Sequence, residues 1–186
     1  MFGRRLGITL AVVGFVMFAI GSYAVAGPRD GPGKVPDSKK FEARLSGLQE
    51  VPSVSSTGFG NFEAKLVNDT TLHYVFHYEG LEGGTSLFAH VHFAQRSVNG
   101  GVSFFLCGPV ANSPITCPDV EGTVEGDITA ANVIGPNGQG IEPSSFAEIL
   151  RAMQAGHSYA NIHTTRWGGG EIRGQINDKN QKQFDK

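Results

Sequence analysis

The feature that most constrains this chain is a period-two hydrophobic alternation that stops at turn residues and then starts again. Phe41/Ala43/Leu45, Phe62/Ala64/Leu66 and Leu72/Tyr74/Phe76/Tyr78 each place apolar side chains on one face of an extended segment, bounded by Gly, Asn-Asp or Pro-rich punctuation. Successive side chains of a strand point to opposite faces, so such a run buries one face and leaves the other polar. Short strands of this kind separated by turns predict an all-β fold, an antiparallel sandwich or barrel. The 26 glycines among 186 residues suit tight turns better than long helices.

One segment breaks the period. Over residues 143–155, Phe146, Ile149, Leu150 and Met153 fall at i, i+3, i+4 and i+7, with Pro143 at the start and Gly156 just past the end. This spacing predicts one short amphipathic helix with a glycine cap, packed over one end of the sheets. Two more strands follow, over 159–164 and 171–176, with Gly168-Gly169-Gly170 as the turn between them.

The N-terminal residues call for a separate reading. Arg4 and Arg5 precede an uncharged apolar stretch over 6–21, and Ala24-Val25-Ala26 is a small-x-small site, so residues 1–26 are expected to be a signal peptide. The rival reading is an uncleaved membrane anchor, because residues 6–28 carry no charge. Residues 27–40 read as a linker, residues 41–176 as the folded domain and residues 177–186 as a polar tail. The protein is therefore expected to be exported, either to a periplasm or into the medium. In an oxidising compartment two cysteines ten residues apart, Cys107 and Cys117, are expected to form one disulfide. Fifteen basic residues scattered among seventeen acidic ones give a net charge of −2 and remove the electrostatic drive for nucleic-acid binding.

Candidate chemistry concentrates on three strands. In Leu87-Phe88-Ala89-His90-Val91-His92-Phe93, the residues Leu87, Ala89, Val91 and Phe93 share one face, and His90 and His92 project together from the other. In the next such strand Ala160 and Ile162 face inward, opposite Tyr159, Asn161 and His163; in the last, Ile172 and Ile176 lie opposite Glu171, Arg173 and Gln175. If these strands are neighbours, His90, His92 and His163 converge, which is enough for copper or zinc with an open position, and Asn161, Glu171 or a backbone carbonyl is expected to orient them from behind. The plain alternative is a solvated histidine pair on an exposed strand face. His73 and His77 lie opposite a core face and read as solvated, and His157 follows the helix, where it can meet the terminal carbonyls.

These residues carry two resemblances. The segments 41–52 (FEARLSGLQEVP), Gly80-Leu81 before His90-Val91-His92, 156–164 (GHSYANIHT) and 170–176 (GEIRGQI) run in the order of a CHRD domain, the chordin-type module of exported proteins. More distantly, His90-x-His92, His163 and Arg173 are similar to the pattern of Cu,Zn superoxide dismutases. That resemblance implies a Greek-key β-sandwich in which the three histidines bind copper and Arg173 guides an anion. The chain departs from it in having no histidine between His92 and His157, which removes the bridging ligand and the zinc cluster, and in placing Ile176 where that family has a last-strand cysteine. Three functions follow as expectations: a metal-binding module of the cell envelope, a copper-dependent redox enzyme of dismutase type, and a metal-free domain that binds an extracellular protein.

Overall fold

The structure is a computed structural model that describes Gly3 and residues 39–111, 113 and 115–177. Eight strands run β1 (Lys40–Ser46), β2 (Phe59–Asn68), β3 (Thr71–Glu79), β4 (Ser86–Phe93), β5 (Gly101–Cys107), β6 (Gly122–Ile128), β7 (Ser158–Thr164) and β8 (Ile172–Gln175), with helix α1 (Phe146–Gln154) between β6 and β7. The export segment, the linker up to residue 38 and the tail beyond Asn177 lie outside the described residues. Asn177 itself is tied to the domain, its N–H and side chain bonded to the backbone of Glu42 and Lys40.

All eight strands belong to one sheet of order β5-β4-β7-β8-β1-β2-β3-β6, and every pairing is antiparallel. The two end strands, β5 and β6, approach each other, so the sheet is nearly closed on itself. The strands β4, β5 and β6 are consecutive, and β7 returns to lie beside β4, which is the Greek-key arrangement. The expected all-β antiparallel fold is the observed one. The β2–β3 hairpin closes through Asn68, whose side-chain oxygen accepts from the N–H and hydroxyl of Thr70.

The alternation read from the sequence marks the inner face. Phe41, Phe62, Tyr74, Phe76, Tyr78, Ala89, Val91, Ala160 and Ile162 are fully enclosed there. Burying an aromatic or aliphatic side chain of this size contributes roughly 1.5–3 kcal/mol each, which makes this face the main source of stability. The predicted helix is also present. Phe146, Ile149, Ala152 and Met153 turn inward and join the same core. Its end is a Schellman motif: Gly156, at φ +73°, donates to Met153 O, and the His157 N–H donates to Ala152 O. A disulfide joins Cys107 to Cys117 and closes the loop after β5.

Candidate metal centre

The histidines meet because of register. His90 on β4 stands opposite Asn161 on β7, so the two share a face, and His163, two residues further along β7, lies diagonally from His90 on that face. A slip of one residue between β4 and β7 would send His163 into the core. On the other side of β4 the pairing with β5 shifts between Ala89 and His90 and again between Val91 and His92. Irregularities of this kind re-aim side chains, and here they flank both histidines.

His90, His92 and His163 are 3%, 8% and 7% exposed, so this outer face of the sheet does not meet water. One ring nitrogen from each lies within 4.8 Å of those of the other two. The His90 ring is 4.4 Å from that of His92 and 4.6 Å from that of His163, centre to centre. His92 Nδ1 is 2.8 Å from Gly100 O and His163 Nδ1 is 2.9 Å from Gly168 O. A carbonyl only accepts, so in both rings the proton sits on Nδ1 and the lone pair on Nε2. Those Nε2 atoms and His90 Nδ1 are buried without a hydrogen-bond partner among the described residues. Leaving a buried polar atom unmatched costs roughly 1–3 kcal/mol, so three together call for an occupant.

A metal ion fits that demand. Three nitrogens bonded at about 2.0–2.1 Å stand about 3.3–3.6 Å apart at tetrahedral or trigonal angles, so nitrogens that lie within 4.8 Å of one another would have to draw in by up to about 1.2–1.5 Å. The imidazoles are also held neutral, the form that binds metal. Burial, reinforced by the neighbouring histidines, pushes His90 down to about 2. Burial likewise lowers His92 to about 4, against the opposing hydrogen bond to Gly100, and lowers His163.

Around the three rings the remaining candidates take definite places. Asn161 lies between His90 and the buried carboxyl of Glu50, with its Nδ2 3.5 Å from Glu50 Oε1. Glu171 is fully enclosed, but its oxygens accept from Ser56 Oγ, Glu82 N, Gly83 N and Thr164 Oγ1, so it clasps the loop before β4 and the end of β7. Arg173, 2% exposed, lies over the ring of Tyr159, and its guanidinium donates to Asn99 Oδ1 and Val98 O. Tyr159 in turn stacks on His92 at 4.5 Å and 8°. Arg173 thus supports, through one ring, the histidine whose other partner, Gly100, belongs to the same loop as Val98 and Asn99. His73 and His77 stay apart on β3, next to Asp127 and to Thr123 and Glu79.

Sequence reasoning missed two parts of this site and left the residues of a third unassigned. Phe88 and Phe105 wall the histidines, with Phe88 4.7 Å from the His163 ring and Phe105 edge-on to His90 at 5.3 Å. The carbonyls of Gly100 and Gly168 fix two tautomers; a backbone carbonyl was one of the expected orienting groups, but no side-chain pattern says which residue supplies it. Glu50, which burial raises to about 7, also lines a cleft of about 290 Å³ together with Arg96, Arg173 and Gln175. Its signal was present only as a polar residue inside the 41–52 motif.

The family model of the CHRD domain matches residues 41–176, a span that runs from β1 to just past β8 and includes every residue of the site. No curated protein matches the chain. The four ordered motifs, the all-β fold and the matched span agree, and the chain belongs to the CHRD domain family.

Proposed function

We propose that this domain, of an extracellular type, binds a metal ion through His90, His92 and His163, copper ahead of zinc. The observation that carries the reading is the convergence of three buried imidazoles, one ring nitrogen of each within 4.8 Å of the others, each ring also carrying a buried nitrogen with no partner among the described residues. Copper leads because imidazole sites hold it more tightly than zinc in the divalent affinity order. When bound, copper supplies a one-electron couple. The chain's own residues do the rest: Gly100 and Gly168 keep two rings in the ligating tautomer, Phe88 and Phe105 keep water off, and Tyr159 holds His92 in place. The Cys107–Cys117 disulfide suits an oxidising, extracellular setting, and no helix of the described residues is long and apolar enough to cross a membrane.

The test is a titration of the purified chain with Cu(I), Cu(II) and Zn(II), followed by melting temperature. A ligand that binds only the folded state raises stability by about 4 kcal/mol at a thousandfold excess over its Kd. A saturable rise at one equivalent that is lost in His163→Ala and in the double variant His90→Ala/His92→Ala supports the site. No rise with any metal overturns it and turns attention to a protein partner.

A second reading is copper-dependent dismutation of superoxide, with the cleft that holds Arg96 and Arg173 as the approach of the anion; Glu50 shares that cleft, and none of the three histidines lines it. In that reading Arg173 guides the anion. Copper-dependent turnover that falls in Arg173→Ala supports it, and turnover indifferent to that change removes the guide.

A further inference from the structure

Granting that a metal binds at the three histidines, the surroundings of the site specify the charge of the ion. We infer that the site is built to hold copper in its monovalent, cuprous state in preference to cupric copper or zinc.

The donor set brings no negative charge. His92 and His163 each commit an Nδ1 proton to a carbonyl and offer a neutral Nε2, and His90 offers an unpartnered Nδ1. The two nearby carboxyl groups are turned away from the rings. Glu171 has both oxygens engaged, each by two donors, none of them a histidine. Glu50 stands behind Asn161 and beside Arg173. The charged side chain that does bear on a ligand is a cation: Arg173 acts on His92 across the ring of Tyr159.

Burial turns these facts into a preference. The charging cost of an ion in a medium of low dielectric scales with the square of its charge, so a divalent ion costs about four times what a monovalent one does in the same cage. Negative ligands normally offset that cost, and here none is in place, while Arg173 repels a dication twice as strongly as a monocation. The ring wall of Phe88, Phe105 and Tyr159 keeps the dielectric low. Coordination number points the same way. Three histidines form the cluster among the described residues; zinc sites complete a tetrahedron with a fourth ligand, whereas cuprous copper is satisfied by three nitrogens.

The experiment is an equilibrium competition on the full chain, kept free of oxygen, with a chromogenic Cu(I) chelator, a Cu(II) chelator and a Zn(II) chelator in parallel. The midpoint potential of the copper-loaded protein is measured alongside. The expected result is a Cu(I) Kd at least a hundredfold below that for Zn(II), and a potential above that of aqueous copper. In Arg173→Gln, which removes the cation, the ratio of Cu(II) to Cu(I) affinity should rise about tenfold, read as a fall in potential of about 59 mV. Phe105→Glu, at a half-buried position edge-on to His90, provides a second variant should the first not fold: a carboxylate there should move the preference toward the divalent ions. A Zn(II) or Cu(II) Kd equal to or below that of Cu(I) overturns the charge preference and leaves the metal site standing. Absence of binding by all three ions overturns both.

Discussion

The two halves of the sheet share an apolar inner face and differ on the outside. Along β3 buried and half-buried residues alternate, and the outward His73 and His77 side chains are 44% and 39% exposed. Along β7 and β8 every residue is buried. The loops carrying Gly100, Gly168 and Glu50 cover that outer face and enclose His90, His92, Asn161, His163 and Arg173. Histidines placed by the same alternation therefore end as surface groups in one half and as a dry cluster in the other. What separates the two outcomes is the cover.

The comparison can be broken first at the shared face. Phe76 is fully buried on β3, so Phe76→Ala should cost about 3–5 kcal/mol, seen in denaturant unfolding. A smaller loss would mean that the inner face is not the main source of stability. The cover itself is tested at Gly170, which has φ +120° and where a Cβ would stand 2.2 Å from Glu50 Oε1 and 2.8 Å from Asn161 Nδ2. Gly170→Ala should cost about 1–3 kcal/mol and weaken metal uptake by disturbing the turn that holds His163. An unchanged melting temperature and metal Kd would show that the turn is not a tight lid.

Acid sharpens the contrast further. His90, His92 and His163 are lowered, to about 2 and about 4 for the first two, so below pH 6.5 the unfolded chain binds protons that the folded chain refuses. Stability of the metal-free protein should therefore fall as pH drops from 6.5 toward 4. Glu50, raised from 4.5 to about 7, works in the opposite sense: the folded chain holds its proton between those values, so its contribution is lost as pH rises through 7. Melting temperature against pH should thus decline on acidification, and decline more steeply between 6.5 and 4.5 in Glu50→Gln. A flat profile would mean that the three rings are not enclosed.

The smallest effect belongs to the solvated half. His73→Ala and His77→Ala should change stability by less than about 0.5 kcal/mol and leave metal binding untouched. An effect on metal uptake from either would erase the distinction between the two sets of histidines.

Much of this was legible in the residues. Leu72, Tyr74, Phe76 and Tyr78 announced β3 and its inner face, and Phe146 with Ile149 and Met153 announced the helix. His90-x-His92 announced two rings on one side of β4. The environment of those rings was not legible. Tyr159, read as an outward residue, is one wall of the site, and Glu171, read as a partner of the histidines, is bonded to Ser56, Glu82, Gly83 and Thr164. A period of two separates one face of a strand from the other, but it cannot say whether the second face meets water or a loop from elsewhere in the chain.

By itself, then, the order of residues determined the strands, their inner faces, the helix and its cap, because these depend on side-chain period and on contacts a few residues apart. The tertiary structure decided that β4 pairs with β7 so that His163 joins His90 and His92, that Gly100 and Gly168 fix their protons, and that Arg173 presses Tyr159 onto His92. Those outcomes rest on register and loop closure between residues as far apart as Glu50 and Asn161. Such contacts arise from the packing of the whole domain, which no local spacing encodes.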